Sequence, residues 1–390
     1  GSGRRGPVSV SEQAEPVERA GSDSDHHRAR LRRPDVPRGA VPASDGILLV
    51  DKPQGLTSHD VVGATRRLAA TRKVGHAGTL DPMATGLLLL GVGRATRFLT
   101  YLVGADKTYA ATIRLGLETT TEDAEGEVTA VHGCRIDDLS GDRLQKALAG
   151  LTGQIQQVPS AVSAIKVDGV RAYKRVRDGQ DVELEARPVT IHELRLTGEP
   201  RQAVVDLAGA AAGGVATGAE TDGAEGEVQV VDLDVVVSCS SGTYVRALAR
   251  DLGQALGCGA HLTALRRTGV GPFDVGQAST LIELSEQVET DAVTPDPRGA
   301  ATVPLEEVGR RCFERLALTE PEARGLRHGQ PLDAAVLERA EAPEGRLGEV
   351  ASKGISRQRV VAGFAPDGRL VALLRHQGSR ARPVLVLDPA

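Results

Sequence analysis

The chain has 390 residues, 40% hydrophobic and 25% charged, with a formal net charge of −5, four cysteines, no tryptophan and only 2% aromatic residues. These values fit a globular protein of one large domain, or a large domain with a small companion, and exclude a disulfide-stapled scaffold. Cys134, Cys239, Cys258 and Cys312 lack C-x-x-C spacing and read as free thiols, no apolar run reaches membrane-spanning length, and no signal-peptide run opens the chain, so a cytoplasmic protein without membrane contact is expected.

Residues 1–44 are rich in Ser, Arg, Asp, Glu and Pro without apolar periodicity, and are expected to form a disordered extension. Order is expected from "GILLVDKPQG" (46–55), a buried strand stopped by Pro53 and Gly55, followed by "SHDVVGATRRLAA", a helix with Ser58 as candidate N-cap. "GLLLLGVGRATRFLTYLV" (86–103) reads as a buried strand, a glycine turn and a helix, and "KTYAATIRLG" alternates like a strand. "SGDRLQKALAGLTG" reads as a helix with Gly153 beyond its end. "RPVTIHELRLTG" and "VQVVDLDVVVSCSSGTYV" read as strands, separated by an Ala/Gly/Glu-rich segment, 199–228, expected to be a mobile surface insertion in a hairpin. "TYVRALARDLGQALGCGAHLTALRR" (243–267) predicts an amphipathic helix ending at Gly257 and then a loop, and "TLIELSEQVETDAVTPDPRG" a helix and a linker. A second unit follows from about residue 298, with a hairpin around Asp367-Gly368 and the strand-like "ARPVLVLDP". The expected class is α+β: a mixed, largely antiparallel central sheet flanked by helices (45–297), then a small β-rich C-terminal domain (298–390).

A net charge of −5 argues against a nucleic-acid partner, but the charges are unevenly spread. Lys52, Arg66, Arg67, Arg72, Lys73, Arg94, Arg97 and Lys107 outnumber the acids of their region, as do Lys166, Arg171, Lys174, Arg175 and Arg177 in theirs. Acids gather at 118–127, 220–234 and 283–296. That layout suits a phosphate-binding face and a mixed solvated surface equally well.

One carboxylate stands out. In "GHAGTLDPMATGLLLLGVG" (75–93), Asp81 sits between a glycine-rich approach and an apolar run. The residue before a proline avoids the helical region, so Asp81 is expected on a loop directly ahead of a buried strand. There it serves either as an Asx-turn residue or as a reacting group held by a rigid sheet. His59, His76 and His261 lack metal-ligand spacing, and no Walker, dinucleotide or G-x-S-x-G motif occurs.

"GHAGTLDPMATG" resembles the catalytic motif of the B-type (TruB) family of tRNA pseudouridine synthases. "GILLVDKPQGLTSHDVV", "DKTYAATIRLG", "VPSAVSAIKVDGVRAY", "ARPVTIHEL", "SSGTYVRALARDLG" and "CGAHLTALRR" match in the family's order, over roughly 46–273. The C-terminal part is similar, more weakly, to the family's small RNA-binding domain of the PUA type. The resemblance implies isomerisation of uridine to pseudouridine at position 55 in the T loop of tRNA, with no cofactor, no metal and no obligate protein partner, in a monomer. It places Asp81 as the catalytic carboxylate and Arg246 as the cation that pairs with it. Tyr109 would stack on the uracil and handle a proton, and Tyr244 is the second matching tyrosine. Leu265 would line the base pocket, and His76 would fill the space left by the flipped base. Arg266 and Arg267 bind phosphate or face solvent. Other readings are an RNA-guided synthase of the same superfamily, a non-catalytic tRNA chaperone, and a metabolic lyase acting on free nucleosides.

Overall fold

The computed structural model describes residues 34–160, 184–208, 226–344 and 359–390, and the backbone of three two-residue strands between them, 166–167, 170–171 and 216–217. The expected extension up to residue 33, the basic segment and motif around 161–183, and the middle of the acidic insertion lie outside the described residues.

The strands in chain order are β1 (Gly46–Lys52), β2 (Val74–Ala77), β3 (Thr85–Val92), β4 (Lys107–Leu115), β5 (Leu117–Thr119), β6 (Val128–Val131), β7 (Gly153–Gln157), β8 (Lys166–Val167), β9 (Val170–Arg171), β10 (Arg187–Leu196), β11 (Arg201–Asp206), β12 (Ala216–Thr217), β13 (Glu227–Cys239) and β14 (Ala260–Val270). The central sheet runs β1-β3-β14-β4-β13-β10-β7, with β2 beside β3 and β11 beside β13. Its pairs are antiparallel except β3 with β14, which run parallel through Thr85–Arg266 and Gly86–Arg267. This is the mixed sheet expected.

β3 shows why the apolar run "LLLL" is uninterrupted. A strand covered on both faces needs apolar side chains at every position. Leu88 and Leu90 enter one core, with helix α1 (Ser58–Leu68) and the later helices, while Leu87 and Leu89 enter a second core on the opposite face. β4, covered on one face, alternates. The segment after β3 is tighter than expected: a 3₁₀ stretch, Gly93–Phe98, precedes a single α turn, α2 (Leu99–Leu102). Helix α3 is Arg143–Gly150, and helix α4 is Val245–Leu256, closed by Gly257 in the left-handed region (φ 74°).

Four boundaries differ from the sequence reading. Residues 34–44 are ordered: Val36 is buried, and Gly39 and Ala43 donate backbone hydrogen bonds to Arg67 and Ala69 at the end of α1. The N-cap of α1 is Thr57, in a reciprocal capping box with Asp60, which frees Ser58 for another contact. The insertion begins later than residue 199, because Arg201–Asp206 is a strand in register with β13. The expected loop after Gly257 is only 257–259, and the chain then enters β14 at the sheet centre.

Beyond the helix α5 (Leu281–Ala292), the C-terminal unit carries helices α6 (Leu305–Cys312) and α7 (Glu320–Arg327) and a five-stranded sheet. That sheet includes the hairpin Val360–Phe364 and Leu370–Gln377 around Asp367-Gly368, as expected. Its apolar face is continuous with the core behind β3, where Phe313 meets Phe98 and Tyr101. Among the described residues no helix is long and apolar enough to cross a membrane.

Candidate active site

Asp81 stands on the loop 78–84 between β2 and β3, directly ahead of the buried strand. The loop is pinned from three sides. The Ser58 hydroxyl, released from capping, accepts from Leu80 N at 2.9 Å and lies 3.1 Å from Leu80 O. Lys52, fully buried, donates to the carbonyls of Leu56 (2.7 Å), Pro53 (3.0 Å) and Pro82 (3.4 Å). Arg267, 1% exposed, donates to Leu87 O (2.8 Å), Gly78 O (3.2 Å) and Thr79 O (3.3 Å). Gly86 closes the loop at φ 105°, and a Cβ there would lie 2.2 Å from the Arg267 carbonyl oxygen. Only glycine permits that approach.

The Asp81 carboxylate is not used in an Asx turn. Its Oδ2 lies 3.1 Å from Arg246 Nε, a group 165 positions further along, on the first turn of α4. Arg246 is buried, and its Nη1 also reaches Asp123 Oδ2 (3.6 Å) and Thr121 O (3.4 Å). Asp123 is itself buried and accepts from Thr121 Oγ1 (2.6 Å) and Glu125 N (3.0 Å). One guanidinium thus joins a half-open carboxylate to a buried one. Tyr244, at the N-cap of α4, is fixed by Gln157, which accepts from Tyr244 N (2.9 Å) and donates to Tyr244 O (3.1 Å).

A cleft of about 290 Å³ opens over this pair, and Asp81, Tyr109, Tyr244, Arg246 and Leu265 all line it. Tyr109 comes from β4 and Leu265 from β14, the strand that sequence reasoning took for a loop. Burial pushes the Tyr109 phenol above its ordinary value, against the pull of Arg267, which contacts the hydroxyl. His76 is the exception. It sits in β2, paired with Leu90, and not among the cleft-lining residues. Its Nδ1 is buried without a hydrogen-bond partner, and burial holds the imidazole below its ordinary value.

Sequence reasoning named Lys107 only within a basic segment and Arg267 as binding phosphate or facing solvent, whereas both line the cleft. Lys107 lines it, buried, with Nζ donating to Val103 O at 2.6 Å and 3.4 Å from Ser241 Oγ. Burial, and then Arg267, push it down to about 8, with Cys239 and Asp106 acting the other way. Lys52 is likewise pushed down to about 8 by burial, opposed by Asp81. Arg267 is a buried strut and does not face solvent, whereas Arg266 pairs bidentately with Asp51 (2.8 and 2.9 Å) and keeps 41% of its side chain exposed. Among the described residues no group of three or more His, Cys, Asp or Glu is placed to hold a metal.

A loop aspartate paired with a helix-borne arginine, under tyrosines on a mixed sheet, agrees with the class that family comparison defines: the pseudouridylate synthases. Residues 66–210 match the N-terminal domain of the TruB family pseudouridylate synthases, 246–307 the tRNA pseudouridylate synthase B C-terminal domain, and 350–388 the tRNA pseudouridine synthase II C-terminal domain. The chain belongs to the TruB family. It is 50% identical to a tRNA pseudouridine synthase B of Arthrobacter sp. (strain FB24), over 88% of this chain and 97% of the relative. It is 45% identical to that of Mycobacterium tuberculosis (strain CDC 1551 / Oshkosh), over 88% and 96%. Among solved structures, the fold is similar to that of a Cbf5-Nop10-Gar1 complex (TM-score 0.60, 23% identity, 91% of each chain). It is also similar to an H/ACA RNP bound to a substrate RNA containing 2'-deoxyuridine (TM-score 0.58, 22% identity, 91% of each chain).

Proposed function

We propose that this pseudouridine synthase acts on the T loop of tRNA at position 55, with Asp81 as the reacting carboxylate, and that it works as a single chain in the cytoplasm. The reaction detaches uracil from its sugar, turns it and rejoins it through carbon, so no atom is gained or lost. The observation that carries the reading is the 3.1 Å contact between Asp81 and Arg246 at the floor of a cleft about 290 Å³ in volume. A carboxylate is needed there as nucleophile or base. Arg246 balances its charge where a flipped nucleotide excludes water, and Asp123 holds Arg246 from behind.

Tyr109 offers a ring face to the uracil and a hydroxyl for a late proton transfer, while Tyr244 and Leu265 bound the base. Stacking of this kind is worth about 1–3 kcal/mol per base. His76, one strand away from the cleft wall, fills the stacking space after the nucleotide leaves it. Lys107 adds a cation to the cleft wall, and phosphate contacts supply most of the affinity.

The test is incubation with an unmodified T-arm stem-loop and mapping of the modified position, with no guide RNA or second protein added. Pseudouridine at position 55 is expected, together with no product from free uridine. Asp81→Asn abolishes product while tRNA binding stays within about a few-fold, because phosphate contacts are untouched. Activity only with a guide RNA would favour the RNA-guided reading, and product from Asp81→Asn would remove Asp81 from its role.

A further inference from the structure

Helix α4 grips the loop between β5 and β6 at two points. Arg246 and Arg250 stand four residues apart, on one face of the helix, and take successive parts of the turn 121–123. Arg246 Nη1 meets Thr121 O and Asp123 Oδ2. Arg250 Nη1 donates to Glu122 Oε1 at 2.9 Å, across 128 positions of sequence. Its Nε donates to Asp251 Oδ1 (3.1 Å) and its Nη2 to Val158 O (2.7 Å). Arg250 is not among the residues that line the cleft.

Glu122 is held in an uncommon state. Its φ is 62°, in the left-handed region that residues other than glycine rarely adopt. The reversal at this residue lets the carbonyl before it and the carboxylate after it face one guanidinium, that of Arg246. Its own carbonyl accepts from Leu262 N of β14 at 3.0 Å, and its N donates to Thr119 O at 3.2 Å. Its side chain is only 16% exposed. Among the described residues Oε2 is buried without a hydrogen-bond partner, so the contact of Oε1 with Arg250 offsets the burial of this charge.

We propose that Arg250 is a positioning residue for the isomerisation: by anchoring Glu122 it keeps the 121–123 turn closed on Arg246, and so keeps Arg246 against Asp81. The proposal rests on the reading of Asp81 as the reacting carboxylate. A buried carboxylate stripped of its cation is costly. Without the Arg250 guanidinium, Glu122 reaches water by leaving the left-handed region, a change that its strained backbone favours. The Thr121 carbonyl and the Asp123 carboxylate then turn away from Arg246, whose contact with Asp81 loses its backing. Arg250 exchanges no proton and acts only through the turn.

The test measures single-turnover pseudouridine formation by the full chain, with enzyme in excess over an unmodified tRNA transcript, and the tRNA Kd by filter binding. Arg250→Met is expected to lower the rate about tenfold, with Kd within about twofold of the parent. Glu122→Gly accepts φ 62° without strain and leaves no charge to strand. Added to Arg250→Met, it is expected to shrink the defect to about threefold or less. Loss of packing or of the Val158 contact produces no such non-additivity. Where Arg250→Met folds poorly, Arg250→Gln removes the same charge and carries the same comparison. Arg250→Met at the parent rate overturns the proposal, as does a double variant as slow as Arg250→Met alone. Total pseudouridine is read, so the modified position does not enter. Product from Asp81→Asn would overturn the reading of Asp81, and it is measured apart from the comparison of positions 122 and 250.

Discussion

Arg246 serves two carboxylates, and Arg246→Met separates them. Asp123 has 4% of its side chain exposed and, among the described residues, accepts only neutral donors apart from Arg246 Nη1 at 3.6 Å. At an effective dielectric of about 20, that contact is worth about 4–5 kcal/mol before desolvation. Removing one partner of a buried pair typically costs about 3–5 kcal/mol. Asp81 is 37% exposed, so its share of the stability is no more than about 1 kcal/mol after solvent screening. The folded state should therefore lose about 3–5 kcal/mol, nearly all of it through Asp123. Urea denaturation at pH 7 measures the loss.

Asp123→Asn in the same chain removes the stranded charge. The double variant should regain most of the stability yet stay about 10²–10³-fold slow, since Asp81 still lacks its partner. A double variant that works at the parent rate would make Arg246 a strut for Asp123 alone. A single variant as stable as the parent would refute the buried-charge arithmetic.

Lys107 leads to a pH effect. Its ammonium titrates near 8 in the free protein, so tRNA affinity should weaken as pH rises through 8, and filter binding of Lys107→Met should lack that step. The sign for stability is opposite: the unfolded chain holds the proton up to 10.5, so this group's contribution rises between about 8 and 10.5. Tyr109→Phe keeps the ring and loses the hydroxyl that meets Arg267, and single-turnover rates should fall about 10²-fold with binding little changed. Tyr109→Ala should also weaken binding, by about 1–3 kcal/mol. Gly86→Ala places a methyl 2.2 Å from a backbone oxygen at φ 105°, and the soluble folded yield should collapse. A normal yield would show that β3 and β14 can move apart.

The loop position of Asp81 was legible from Asp81-Pro82 and the apolar run behind it, and its partner from the motif around Tyr244 and Arg246. The strand β14 was not. Leu262 and Leu265 are spaced like a helix face, and two irregularities, at 262–264 and 267–269, break the alternation that marks a strand. The burial of three cations was hidden for a different reason. Lys52, Lys107 and Arg267 are buried by strands distant in sequence, and a lysine facing a carbonyl reads in sequence like one facing water. Ser58 was misjudged by one position because serine is on average the better cap, and only the fold brings Leu80 to its hydroxyl and leaves Thr57 to cap the helix.

The core behind β3 belongs to two sheets at once. Leu87, Leu89 and Phe98 pack with Phe313, Leu373 and Leu385, and Arg94 and Arg97 donate to the carbonyls of Leu387 and Val386. Such a joint behaves as a welded seam and not as a hinge. An RNA long enough to touch both the cleft and the C-terminal strands would meet them at a preset spacing, as a caliper locked at one width meets a rod. Length discrimination would then reside in the protein scaffold, with the nucleic acid left to do the bending.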